Sequence, residues 1–310
     1  EQLARRLMAM RRQRGSLDFD LPEAEVVLGL RGRPEDIVRA ERTMAHRIIE
    51  EFMLAANEAV ATFLHQRQVP LLYRIHEPPE LEKLQSFQEF VAYLNYGLVI
   101  GDTDDIAVQL QALLAQVVGK PEERMVNQVL LRSMKQARYA AENVGHFGLA
   151  AELYCHFTSP IRRYPDLVVH RILREVLSAE KLSDRRCSWW QRKLPPIAEH
   201  CSVNERRAME AERDIVDLKK CQFMVDKVGE EFRGTVAGVQ PFGIFVELQE
   251  VFVEGLVPIA SLGDDYYQYE EHLHRLIGQR RRNIYQVGME ISVRLRHVDL
   301  DRRQIDFELV

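Results

Sequence analysis

Two adjacent arginines, Arg162 and Arg163, stand in the run HFTSPIRRYPDLVVHR at 156–171, bracketed by Pro160 and Pro165. A guanidinium is a planar, permanently charged fork of donors, and two of them side by side suit a phosphate group. Thr158, Ser159 and Tyr164 place hydroxyls in the same short stretch. Pro165 and Asp166 then open an apolar run over 167–177. Proline is at home in the first turn of a helix, where its missing N–H costs nothing. The positive end of that helix adds its field to the arginines. The composition alone fits a second explanation equally well, a surface loop whose arginines pair with nearby carboxylates.

Other residues with chemical potential are spread along the chain. Glu50 and Glu51 interrupt an apolar helical pattern over 47–64, where acids need a partner or a solvent-filled cleft. Arg47, one turn before Glu51, is a candidate partner. Phe242 and Phe245, in PFGIF, suit a base-stacking platform on a strand, although one of the two equally suits a core position. His156 and His170 flank the arginine run at a spacing that matches no zinc motif, and they read as structural or hydrogen-bonding side chains. Cys155, Cys187, Cys201 and Cys221 form no C-x-x-C pair. Reduced, mostly buried thiols are expected rather than a zinc site or a disulfide framework.

The elements that must hold these residues are legible in outline. The chain opens on what reads as the end of a helix already under way, and 18–30 suggests short strands and a turn. Residues 34–66 predict one long helix. Ile48, Phe52, Ala55, Ala59 and Phe63 repeat there at helical spacing, with Ile49, Met53, Ala56, Val60 and Leu64 beside them, a stripe broad enough for burial on most sides. Helices follow over 81–96, over 106–118 with Asp104 or Asp105 as cap, and over 121–138. Beyond the arginine run lies a basic, proline-containing segment at 184–196, then one long helix over 197–228. From Gly229 the pattern changes. Five short alternating runs, from FRGTVAGVQ to QIDFEL, predict a small barrel of the OB type. The fold class is therefore α+β, mostly helical over 1–228 and all-β over 229–310.

The chain has 310 residues, 46% of them hydrophobic, which suffices for one large core and a smaller second domain. A net charge of −5 gives no global basic field. Basic residues still cluster at Arg5, Arg6, Arg11, Arg12 and Arg14, and again at Arg280, Arg281 and Arg282. Such runs are commonly solvated faces, and they also suit phosphates. No run of about 18 apolar residues is present, which excludes a membrane-spanning helix. No signal peptide is visible, so a cytoplasmic location is expected.

The run at 156–171, preceded by ENVGHFGLAAELY at 142–154, resembles the signature of the ribonuclease II/ribonuclease R family. RIIEEFMLAANEAVATFL at 47–64, LYRIHEPP at 72–79 and GLVPIASLGDDYYQY at 255–269 are similar to segments of that family in the same order. RRYPD and the DDYY stretch bring the chain nearer the ribonuclease R branch. The resemblance implies the C-terminal half of an RNB catalytic domain over 1–228 and an RNA-binding barrel of the ribosomal S-one type over 229–310. It implies a processive, magnesium-dependent 3′→5′ exoribonuclease that hydrolyses single-stranded RNA to 5′-nucleoside monophosphates. Arg162 would stand beside the scissile phosphate and stabilise charge as the bond breaks. Arg163, Tyr164 and Thr158 would contact RNA, Glu51 would accept from a ribose hydroxyl, and Phe242 and Phe245 would stack bases. Glu212 falls where ribonuclease II has a glutamate near its active site, a position at which ribonuclease R departs. The family's aspartate cluster for magnesium is expected upstream of this chain. The look-alike GDTDD at 101–105 reads as a helix-capping loop, not a metal site.

Three hypotheses follow. The chain is part of such an exoribonuclease, with the missing half supplied upstream or by a separate polypeptide; or it binds RNA without hydrolysis; or it is a scaffold. The start at Glu1 rather than at methionine favours the first, and the arginine signature argues against the third. Half a domain would expose apolar surface, so association with a partner piece is expected.

Overall fold

The computed structural model describes residues 1–19, 23–100, 103–120, 122–179, 182–263 and 265–310, apart from the side chains of 103–105 and 272. Helix α1 (Gln2–Gln13) leads into a hairpin of β1 (Ala24–Leu28) and β2 (Pro34–Arg39). The helix expected from residue 34 therefore begins only at Met44, as α2 (Met44–Gln66). The competing interaction is strand pairing: β2 runs antiparallel to β1 from Ala24 opposite Arg39 to Leu28 opposite Pro34. It also buries Ile37 against the barrel. Burial of α2 is one-sided, not general. Its inner face is Glu51, Leu54, Asn57, Ala61 and Leu64, while Ile49 and Phe52 face solvent.

Strand β3 (Tyr73–Ile75) pairs antiparallel with β4 (Arg138–Ala140), which sets Arg74 opposite Tyr139. Between them α3 (Leu81–Tyr93), α4 (Thr103–Val117) and α5 (Glu123–Ser133) close a core around Phe87, Leu110 and Leu130. Helix α4 starts at Thr103, so Asp104 and Asp105 lie inside its first turn instead of preceding it. Gly101 and Asp102 of the GDTDD segment fall outside the described residues, as do the side chains of 103–105. Helix α5 stops short of 138 because β4 takes that stretch into strand pairing.

After the arginine run come α6 (Tyr164–Ala179) and α7 (Asp184–Met224). The segment 184–196, expected to precede the long helix, belongs to it: α7 runs 41 residues with Pro195 and Pro196 inside. Each interior proline removes one backbone hydrogen bond. Trp190, Leu194, Ala198 and Cys201 offset that loss by packing with α2 and α6 into the main helical core. None of the four cysteines forms a disulfide.

The last segment is a closed barrel. Strands β5 (Glu231–Gln240), β6 (Gly243–Leu248), β7 (Glu254–Pro258), β11 (Glu290–Asp299) and β12 (Gln304–Leu309) follow the order β11-β12-β7-β6-β5. The β12–β7 pair is parallel and the others are antiparallel. A small sheet of β8 (Tyr267–Glu270), β9 (Arg275–Gly278) and β10 (Ile284–Gln286) is inserted before β11. Alternation sends Ile244, Val246 and Leu248 into the barrel core, which Ile37 and the α7 residues Cys221 and Met224 extend. No helix among the described residues is long and apolar enough to cross a membrane.

Candidate functional site

The loop before α6 gives its two arginines opposite environments. The backbone turns at Ser159, whose carbonyl accepts from the N–H of Arg162 (3.3 Å) and of Arg163 (3.0 Å). Arg163 folds back and donates to Asp166 Oδ1 at 2.8 Å. The same oxygen accepts the Ser159 N–H at 2.8 Å, and Asp166 is fully buried. Arg162 and Ile161 project from the apex, and the Arg162 side chain makes no hydrogen bond or ion pair among the described residues. Tyr164 is half-exposed beside them. Four buried side-chain polar atoms lack a partner among the described residues, and three lie in this loop: Thr158 Oγ1, Arg163 Nε and Asp166 Oδ2. Each such atom costs about 1–3 kcal/mol. Their concentration in one loop marks a place where a polar group is wanted.

Behind the loop a row of rings meets edge to face. His76 faces His146, His146 faces Tyr154, and Tyr154 faces His156, at centroid separations of 5.1, 5.3 and 5.8 Å. Burial pushes His156 down to about 2, helped by the positive charges of Arg163 and Arg74. Burial likewise pushes His146 to about 3, with His76 and Arg74 adding to it. Both are neutral, and Tyr139 Oη lies 2.8 Å from His156 Nδ1. His170 stacks on Phe157 at 4.1 Å and bonds its carbonyl at 2.9 Å. The expectation that His156 and His170 serve as hydrogen-bonding side chains agrees with this geometry.

Glu51 is placed differently from its sequence neighbourhood. Its carboxylate takes a bidentate fork from Arg11 on α1, with Nε at 3.0 Å and Nη2 at 2.5 Å from Oε1. Glu51 is only 2% exposed. Gly15 makes this approach feasible: at φ +88° it turns the chain after α1, and a Cβ there would lie 2.9 Å from Val108 N. Ser16 then accepts from Arg11 at 2.8 Å, and the Leu17 N–H reaches the Gly148 carbonyl at 2.8 Å. Glu212 is exposed on α7.

On the barrel, neither phenylalanine is in the core. Phe242 sits in the β5–β6 turn and Phe245 on the outward face of β6, their rings perpendicular at 6.0 Å. They line a groove between the barrel and the helices, with Arg124 and Gln128 of α5 and Lys220 of α7 opposite. Arg124 bridges the groove to Glu247 by two bonds of 2.5 and 2.7 Å. Among the described residues no three His, Cys, Asp or Glu side chains gather as a metal site. The groups present do not fit the magnesium centre that the resemblance implies.

Of the buried polar side chains that hold the loop, Asn57 was not singled out in the sequence, and Asp166 was named only as a residue opening the helix that follows. The signal was there for Asn57, a polar residue on the same apolar stripe that drew attention to Glu51.

A mostly helical region with an arginine loop, joined to an OB-type barrel, places the chain among two-domain α+β proteins. Residues 1–179 match the RNB domain family and residues 225–309 match the S1 RNA binding domain. The chain belongs to the RNB family, and it is similar there to ribonucleases R. It is 46% identical over 304 residues to ribonuclease R 1 of Lactococcus lactis subsp. lactis (strain IL1403), covering 97% of this chain and 37% of the relative. It is 44% identical over 310 residues to ribonuclease R of Aquifex aeolicus (strain VF5), covering 100% of this chain and 43% of the relative. The chain thus spans about two fifths of the length of these curated relatives. Among solved structures, Mycoplasma genitalium RNase R in complex with ribose-methylated single-stranded RNA superposes with a TM-score of 0.91 at 29% identity, over 99% of this chain and 48% of that one.

Proposed function

We propose that this chain forms the RNA-guiding and phosphate-facing part of a processive 3′→5′ exoribonuclease that hydrolyses single-stranded RNA to 5′-nucleoside monophosphates. The observation that carries the reading is the split between the two arginines: Arg163 is tied to Asp166, while Arg162 is presented unpaired at the head of α6. Arg162 stabilises the negative charge that builds on the scissile phosphate, in a loop already shaped to receive it. Arg163, Thr158 and Tyr164 complete the RNA contact. Glu51 reaches a ribose hydroxyl only by giving up part of its fork with Arg11. Phe242 and Phe245 stack bases where the strand passes the barrel. The two functional regions divide after Val228, where Gly229 turns the chain at φ +94° into β5. Magnesium is the cofactor of the whole reaction, held by acids that lie outside this chain, on an upstream segment or a separate polypeptide.

The test is cleavage of a 5′-labelled single-stranded RNA, with magnesium and with chelator, by the full-length protein and its Arg162→Ala variant. The expected result is a magnesium-dependent ladder whose rate falls at least about a hundredfold in the variant while RNA affinity stays within about threefold. Equal loss of rate and affinity would make Arg162 a binding residue only.

A further inference from the structure

The run that carries Arg162 is irregular backbone from 154 to 157, with no strand ladder to fix it. The Arg74 N–H holds the Tyr154 carbonyl at 2.9 Å and Tyr139 Oη lies 2.8 Å from His156 Nδ1, and from the other side one residue on α2 makes several contacts to the run. Asn57 Oδ1 accepts the Phe157 N–H at 2.9 Å, and its Nδ2 donates to Tyr154 Oη at 3.0 Å. Its carbonyl accepts the Cys155 thiol at 3.5 Å. Asn57 is 1% exposed, and both polar atoms of its side chain are used on this run alone. The Phe157 carbonyl is bonded by His170, on which its ring also lies flat. Phe157 is therefore held at its N–H, its C=O and its ring. Asp166 fixes the next points, Ser159 and Arg163. What is left to project is the apex, Ile161 and Arg162.

We infer that Asn57 is a positioning residue for Arg162: it sets where the loop leaves the helical core, and so where the free guanidinium is aimed. The inference rests on the reading of Arg162 proposed above. Asn57 lies on the same buried face of α2 as Glu51, about 9 Å further along the helix. One rigid element thus spaces the signature loop from the Arg11–Glu51 pair. An apolar residue at 57 would fill the volume but leave the Phe157 N–H and Tyr154 hydroxyl without partners. Packing alone does not account for an amide there.

The experiment measures the single-turnover cleavage rate and RNA affinity separately, on the full-length protein with magnesium and a 5′-labelled single-stranded oligoribonucleotide. The variants are Asn57→Ala, Arg162→Ala, the double variant and Tyr154→Phe. Asn57→Ala is expected to slow cleavage by about ten- to a hundredfold, the range that a misplacement of about an ångström produces, with affinity within about threefold. The double variant is expected to be no slower than Arg162→Ala, because Asn57 acts through that side chain. If Asn57→Ala does not fold, Tyr154→Phe removes one hydroxyl and keeps the packing, and a severalfold slower rate is expected from it. A normal rate in both folded variants, or a double variant whose losses multiply, overturns the inference while leaving the role of Arg162 intact. A wild-type rate in Arg162→Ala overturns the reading of Arg162, and this inference with it.

Discussion

Arg162 and Arg163 are adjacent and chemically identical, yet only Arg163 is tied to a carboxylate. The difference is made by Asp166, one helical turn on, which takes Arg163 and leaves its neighbour to solvent. A motif shows that arginines stand in a proline-bounded loop; it does not show which of them a buried carboxylate will claim. Asn57 was less legible still, because its partners Tyr154 and Phe157 lie some hundred positions away and only the folded chain brings them together. Phe245 was legible as an aromatic on a strand but not as outward-facing, which depends on register. With its ring on the open face of β6, Phe245→Ala is expected to weaken RNA binding by about 1–3 kcal/mol, with little change in thermal midpoint. A lowered midpoint with unchanged affinity would place the ring in a packing role. The buried histidines give a pH dependence. His146 and His156 are held neutral down to about 3 and about 2, whereas an unconstrained histidine takes a proton near 6.5. As pH falls below about 6.5, the unfolded chain binds protons that the folded one refuses, so stability drops from there towards 3 and is unaffected above 7. The expected loss is about 1–2 kcal/mol per histidine by pH 5, and His146→Gln should flatten the slope of unfolding free energy against pH.

At the scale of elements, the periodic signals identified helices correctly where nothing competed for the segment. The stretch at 34–39 looked helical in continuity with α2, but pairing with β1 takes it into a strand. The reverse happened in α7, where two prolines suggested a break and the packing of Trp190, Leu194 and Ala198 carried the helix through. Neither outcome is encoded in local propensity; both are set by a partner distant in sequence. The barrel was legible because its alternation and glycine turns are local, whereas the inserted β8–β10 sheet was not separated from it. Helix α7 also holds β4 in place through Ser202, whose Oγ accepts the Tyr139 N–H at 2.9 Å and donates to the Ala198 carbonyl at 2.8 Å. Ser202→Ala leaves that N–H buried without a partner. The expected cost is about 1–3 kcal/mol, read as a lower urea midpoint with unchanged slope. An unmoved midpoint would mean that β4 is held by its pairing with β3 alone.

At the scale of the molecule, two of the apolar clusters, the main helical core and the barrel core, are joined by one helix. Helix α7 contributes Trp190, Leu194 and Ala198 to the helical core and Cys221 and Met224 to the barrel core. Both tryptophans of the chain lie on its first part, so their fluorescence reports the helical end. Met224 is fully buried at the other end, and Met224→Ala is expected to cost about 2–5 kcal/mol. If α7 couples the two regions, the tryptophan transition moves to lower temperature as well; an unmoved tryptophan transition would show that they melt independently. The length of α7 has a mechanical consequence. At 41 residues it is a beam about 60 Å long, and a tilt of about 5° at one end sweeps the other through about 5 Å. On the function proposed above, an RNA strand that tugs on the barrel would pull a lever whose far arm is bedded against α6, the helix that follows the signature loop. Grip at the barrel and aim at the phosphate would then be geared to one another.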